Sequence, residues 1–175
     1  GKTLIIDAKK FNTNSIEPKI FSLGHRNPQG LTKYKGKIFS VEHGPKGGDE
    51  LNEIKFGKNY GWPLVSYGTR YFFHDEGKSY QVNHKNNGFV EPLYALIPSV
   101  GISSVNNCPT KLAKYYKKNC LLALSLHGNE LRPGKSLLIF LFDENFKSVH
   151  SVEKIFLNEK LVMRHFMTNK KNEIY

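Results

Sequence analysis

Three short stretches concentrate the side chains that could do chemistry. Gly24-His25-Arg26-Asn27-Pro28-Gln29-Gly30-Leu31 is bounded by Gly and Pro and presents His, Arg, Asn and Gln together. Arg26 offers a planar fork that suits a carboxylate or a phosphate. Asn27 and Gln29 both donate and accept. Such a turn suits a polar, anionic ligand, or it staples neighbouring loops through their carbonyls. Glu42-His43-Gly44-Pro45-Lys46-Gly47-Gly48-Asp49-Glu50 follows a strand-like run. Its glycines and proline let backbone carbonyls turn toward one point, and Asp49 and Glu50 add carboxylate oxygens. Hard oxygen donors on a flexible loop are what Ca²⁺ takes, although no EF-hand spacing is present. The alternative is a long polar hairpin loop. In Asn59-Tyr60-Gly61-Trp62-Pro63 the Trp is either a packing anchor or a ligand wall.

Other chemistries find no support in the spacing. The seven histidines form no HxH or HExxH pairing, no GxSxG elbow occurs, and the carboxylates show no readable acid/base pair. Gly134-Lys135-Ser136 is not a phosphate loop, because the Gly that motif requires five residues earlier is Asn129. Cys108 and Cys120 fit no zinc pattern; one disulfide and two buried thiols both remain open.

The elements that must position these motifs read as β. Short apolar runs between turn signals predict strands over 3–6, 37–41, 120–126, 136–142 and 153–157, with a strand-like stretch over 19–23. Six unbroken apolar residues from Leu137 to Phe142 predict a strand buried on both faces. One short helix is expected after Pro109, through Lys111 to Lys118, while 57–68 and 83–88 read as loops. Gly-Lys turns at Gly1, Gly36 and Gly134 precede strand-like runs, and Asn172 begins a similar pattern. Propeller blades recur at roughly 40–50 residues, so these turns are expected to mark blades.

The chain has 175 residues, the size of one domain or part of a larger one. Its 13% aromatic share argues against a disordered chain. A formal charge of +11 favours acidic partners or reflects a lysine-rich solvated surface. The scattered lysines and the lack of an RNP-like motif argue against nucleic acid. Prolines and asparagines interrupt the longest uncharged stretch, Pro92 to Thr110, so no membrane span is expected. No signal peptide opens the chain, and its first residue is Gly rather than Met, so an upstream segment is expected.

The three motifs resemble those of the soluble glucose dehydrogenases and aldose sugar dehydrogenases, also called glucose/sorbosone dehydrogenases. In that family a GHRNPQGL turn, an E-H/Q-G-P-x-x-x-D-E loop and an NYGWP loop follow one another in this order. The match is strong from about Gly1 to Gly68 and fainter from Pro92 onward. The resemblance implies an all-β fold, a six-bladed β-propeller. Residues 1–175 would be one domain, a fragment of about three to four blades of four-stranded antiparallel sheet. It implies binding of pyrroloquinoline quinone (PQQ) and Ca²⁺, oxidation of the anomeric hydroxyl of an aldose to a lactone, and transfer of electrons to an external acceptor. It further implies a periplasmic or secreted location.

Carried over residue by residue, Arg26 matches the arginine near the quinone, with Asn27 and Gln29 supporting its turn. The carbonyls of Gly44 and Pro45 match ligands of the Ca²⁺ at the quinone. Glu50 and Tyr60 match ligands of a second, structural Ca²⁺. His127 stands where many members carry a cofactor-binding Lys. Of the family's Arg-x-Arg-Asp stretch, only Arg164 is kept in Val162-Met163-Arg164-His165. The family's catalytic histidine belongs to an earlier blade and has no match here, so these residues alone are not expected to form a competent dehydrogenase. A non-catalytic binding module of the same lineage is the alternative. Exposed blade faces are expected to drive homodimerisation.

Overall fold

The computed structural model describes residues 1–10, 16–71, 80–126, 135–157 and 163–175. Three sheets succeed one another along the chain. Strands β1 (Lys2–Ile5) and β2 (Lys19–Leu23) pair antiparallel, and β6 (Lys58–Asn59) adds to β2 in parallel. Strands β3 (Pro28–Tyr34), β4 (Lys37–Glu42), β5 (Asp49–Ile54) and β7 (Tyr94–Leu96) form a four-stranded antiparallel meander. Strands β8 (Ile102–Asn107), β9 (Cys120–Ser125), β10 (Ser136–Phe142) and β11 (Val149–Phe156) form another. Four-stranded meanders stacked in chain order are the blades of a propeller.

Alternation along the strands explains the stacking. On β4, Phe39 and Val41 point into a core shared with β8–β11, where Ile102, Leu121, Leu138 and Phe140 meet them. The neighbouring positions Leu122, Leu124, Ile139 and Leu141 point the other way. They pack against Leu112 and Tyr116 of helix α1 (Thr110–Tyr116) and against Met163 and Phe166. Strand β10 is therefore buried at every position, as its unbroken apolar run predicts. The two meanders approach closely at β3 and β8. Asn107 donates to the carbonyl of Lys33 at 3.2 Å, and a Cβ on Gly30 would lie 2.6 Å from the Val105 nitrogen. Cys108 and Cys120 are joined in a disulfide, which resolves the alternative left open by the sequence.

Several expectations need correction. Strands β5, β7 and β8 escape the apolar-run criterion, because Asp49–Ile54 and Ile102–Asn107 bury acids, amides and serines. The polar turn is shorter than read, since β3 already begins at Pro28. The hairpin loop likewise spans only 43–48. The last strand starts at Val149 rather than Glu153, and the helix lies over Thr110–Tyr116. The Gly-Lys turns do not mark equivalent positions. Gly36 precedes the second strand of its sheet, whereas Lys135 precedes the third strand of the next.

Candidate functional site

The arginine turn and the glycine hairpin lie side by side. The His43 N–H donates to the Asn27 carbonyl at 3.0 Å, and Arg26 Nη1 donates to the His43 carbonyl at 3.2 Å. The third motif closes the same corner. Trp62 N–H donates to the Gly24 carbonyl at 3.0 Å, and the Arg26 guanidinium sits 5.3 Å from the centre of the Trp62 ring. This cation–π contact makes Trp62 an anchor for Arg26. Gly24 has φ +75°, and a Cβ there would lie 2.4 Å from the Gly61 nitrogen. Only glycine permits that conformation and that approach.

Beneath the turn runs a buried polar network. Strand β4 places Ser40 and Glu42 on the face opposite its apolar residues. Their cross-strand partners on β5 are Asn52 and Glu50. Glu42 accepts from the Arg26 N–H at 2.8 Å on one oxygen and from Asn52 at 2.9 Å on the other. Asn52 also donates to Glu50 at 3.2 Å. His25 bonds Glu42 through Nδ1 at 3.1 Å and Ser22 through Nε2 at 2.8 Å, and Ser22 meets Thr3 at 2.5 Å. Ser22, His25 and Glu42 thus have the connectivity of a hydrolase triad. Ser22 is only 1% exposed, so no substrate reaches it and the three serve as scaffold.

Burial, and then the nearby Glu42, push the Glu50 carboxyl up to about 8, against the hydrogen bond from Asn52. His84, whose Nε2 lies 3.5 Å from Glu50, is held below the ordinary histidine range by burial. Without a cation, the pair is therefore a neutral imidazole beside a protonated acid near neutral pH. A cavity of about 10 Å³ opens here, lined among others by Glu42, Gly44, Glu50, Tyr60, Ser66 and His84. That is the room taken by one water.

Apart from His127, each site residue read from the sequence has a definite place. Arg26, Asn27 and Gln29 share the turn, where Gln29 donates to the Asn27 side chain at 2.8 Å. Gly44 and Pro45 lie in the adjoining loop, and Glu50 sits one strand away across the hairpin. Tyr60 stacks on His25 with ring centres 4.6 Å apart, and its hydroxyl donates to the Glu53 carbonyl at 2.5 Å. Burial pushes that hydroxyl up to about 12, and because it also accepts from the Lys55 N–H at 3.0 Å, the Tyr60 main chain is the better placed metal donor. Asp49, grouped with Glu50 as an oxygen donor, faces the other way. It accepts from the N–H groups of Val100 and Ile102 at 3.1 and 3.0 Å and from Ser99, tying β5 to the next sheet. Arg164 is exposed and has no hydrogen bond or ion pair among the described residues. Its neighbours Met163 and Phe166 pack on the face of β8–β11 turned away from β3–β7, so it does not join the Arg26 corner. His127 and Val162 lie outside the described residues. His84 and Asn52 carry no signal in any of the three motifs. The Glu42–Glu50 pair was not read from the sequence, although a carboxylate stands at each end of the hairpin loop.

The residues fit an anion and a cation at this corner. Among the described residues no carboxylate pairs with Arg26, and four of its five N–H donors remain. The Gly44 and Pro45 carbonyls accept no hydrogen bond there either. No three His, Cys, Asp or Glu side chains converge as a metal cluster among the described residues. A cation here would depend on main-chain oxygens, which suits Ca²⁺.

The glucose/sorbosone dehydrogenase family profile matches residues 4–175. The chain belongs to the glucose/sorbosone dehydrogenase family. Within it, the aldose sugar dehydrogenase YliI of Escherichia coli (strain K12) is 49% identical over 55 residues, 30% of this chain and 15% of that protein. Quinoprotein glucose dehydrogenase B of Acinetobacter calcoaceticus is 50% identical over 54 residues, 30% of this chain and 11% of that protein. A crystal structure of a glucose dehydrogenase superposes with a TM-score of 0.72 at 29% identity, over 94% of this chain and 45% of that one. The apo soluble aldose sugar dehydrogenase of Escherichia coli superposes at 0.68 with 23% identity, over 94% and 45%. This glucose/sorbosone dehydrogenase chain thus spans less than half the length of those solved structures, and its fold is that of part of a β-propeller. No helix among the described residues is long and apolar enough to cross a membrane.

Proposed function

We propose that this chain contributes half of the pocket in which a PQQ-dependent aldose dehydrogenase holds its quinone and Ca²⁺. The observation that carries the reading is Arg26, free of any carboxylate, beside a hairpin whose Gly44 and Pro45 carbonyls accept no hydrogen bond, both among the described residues. The names of the relatives support the quinone and the sugar: one is a quinoprotein glucose dehydrogenase, and a further superposed structure is a PQQ-bound aldose sugar dehydrogenase. When bound, the quinone supplies two-electron oxidation of an aldose to its lactone, with Ca²⁺ as Lewis acid.

The chain's own residues bind and orient. Arg26 pairs with a quinone carboxylate, braced by Trp62 and by the His43 carbonyl. Asn27 and Gln29 hold the turn, and Gly44 and Pro45 present oxygens to the metal. Glu50, as its carboxylate, and the Tyr60 main chain would hold the second Ca²⁺. His127 belongs to the same reading as a further cofactor contact, whereas Arg164, beside Met163 and Phe166 on the far face of β8–β11, is left out of it. The substrate of this reading is an aldose, and its electrons pass to an external acceptor. The Cys108–Cys120 disulfide supports an oxidising compartment, periplasmic or extracellular. Exposed Leu4, Ile20 and Leu23 on the β1–β2–β6 sheet support association of two copies; a monomer by sedimentation at high concentration contradicts it.

Trp62 is the sole tryptophan, so its fluorescence reports this corner alone. PQQ added with Ca²⁺ is expected to quench it saturably, with at least tenfold weaker binding in Arg26→Ala and after chelation of Ca²⁺. No quenching at high micromolar quinone overturns the reading. Quinone binding by the full-length protein without sugar-dependent dye reduction would favour the non-catalytic module.

A further inference from the structure

We infer that Glu42 is a positioning residue that presets Arg26 for an anionic ligand; this rests on the quinone reading above. Glu42 is 3% exposed, sits at the end of β4, and bonds the Arg26 main chain rather than its guanidinium. Its carboxylate nevertheless holds the turn from below. One oxygen takes the Arg26 main-chain N–H at 2.8 Å, and the other takes His25 Nδ1 at 3.1 Å and Asn52 at 2.9 Å. Three elements meet on this one group: the turn after β2, strand β4 and strand β5. A buried carboxylate with three donors is rigid, because each bond lost leaves a buried polar atom without a partner.

The rigidity is directed at the site. With its N–H fixed by Glu42, its guanidinium braced on the His43 carbonyl and its plane near Trp62, Arg26 has its main chain and its side-chain end both fixed before any ligand arrives. A flexible arginine would lose that freedom on binding, so presetting it strengthens binding without a new contact. Asn52 extends the same clasp to Glu50, because its amide donates to both carboxylates. The arginine corner and the proposed second Ca²⁺ site are therefore held by one amide.

The test compares Glu42→Leu, Glu42→Gln and Arg26→Ala, alone and combined, by Trp62 quenching with PQQ in saturating Ca²⁺. Glu42→Leu is expected to weaken quinone binding at least tenfold in the wild-type background and by less than twofold in Arg26→Ala. Glu42→Gln retains an acceptor for the Arg26 N–H, and the partnerless Asn52 Oδ1 can take its new amide protons, so affinity within about threefold of wild type is expected. A purely structural role predicts the same loss in both backgrounds. Should Glu42→Leu not fold, amide hydrogen exchange on the wild-type protein decides. The Arg26 N–H is expected to be protected without any ligand, and exchange at the rate of an open loop overturns the inference. Equal affinity in Glu42→Leu and wild type, or additive losses, also overturn it while leaving the quinone reading intact. Absence of quinone binding by the wild type removes both.

Discussion

Two neighbouring meanders with the same topology bury their central strands for different ends. In β8–β11, every residue of β9 and β10 is buried, and their side chains are apolar apart from a half-cystine and Ser125 and Ser136 at the strand ends. One face meets β3–β7, and the other meets α1 and the chain near Met163. In β3–β7 the central strands β4 and β5 are almost as deeply buried, yet Ser40, Glu42, Glu50 and Asn52 fill one face. The first sheet should answer to volume, the second to hydrogen bonding and charge. The blade carrying the site is the one that gives up an apolar face.

The comparison can be broken most forcefully at Phe140, which is fully buried between the sheets. Phe140→Ala is expected to lower unfolding stability by about 3–5 kcal/mol in urea, from lost transfer energy and a residual cavity. A loss below about 1 kcal/mol would mean the shared core is not packed as described. Next in size is the crosslink on the same sheet. Reducing the Cys108–Cys120 disulfide, with twelve residues of separation, is expected to cost about 2–3 kcal/mol.

The polar sheet answers to pH instead. Glu50 titrates at about 8 in the folded protein against an ordinary 4.5, so the metal-free folded state binds the extra proton between those values. The Glu50 contribution to stability should fall as pH rises from about 4.5 to about 8 and level off above, while His84, held low by burial, contributes in the opposite sense up to its ordinary 6.5. Glu50→Gln should flatten that slope, and an unchanged slope contradicts the assignment. A smaller effect is expected at the Lys37–Glu53 pair, 2.7 Å apart toward one end of the central strands β4 and β5 of the same sheet. Burial raises Glu53, but Lys37 and Lys55 outweigh it and hold its carboxyl below the usual range. Lys37→Ala should cost no more than about 1 kcal/mol, measured by urea midpoint. Least of all, Ser40→Ala should be neutral or slightly stabilising, because the buried Ser40 hydroxyl has no partner among the described residues.

The same contrast explains what the sequence disclosed. The apolar sheet was legible at β9 and β10, since unbroken runs such as Leu137 to Phe142 admit little else. The polar sheet was legible at β4, from its apolar run over 37–41, and otherwise only by its motifs. Asp49-Glu50-Leu51-Asn52-Glu53-Ile54 looks like exposed loop until Glu42 and Asn52 are known to meet across a hairpin. The arginine turn and glycine hairpin were readable as ligand-binding chemistry, and their adjacency follows from the single meander between them. His84 was not readable, because it reaches Glu50 from more than thirty residues further along the chain. Asp49 misled for a related reason: strand alternation sends it to the opposite face from Glu50.

A crystal structure of the protein soaked with PQQ and Ca²⁺ tests the central claim most directly. The account predicts a quinone carboxylate on the Arg26 guanidinium and a Ca²⁺ ion on the Gly44 and Pro45 carbonyls. A quinone bound elsewhere, or a metal that avoids the hairpin, would contradict it.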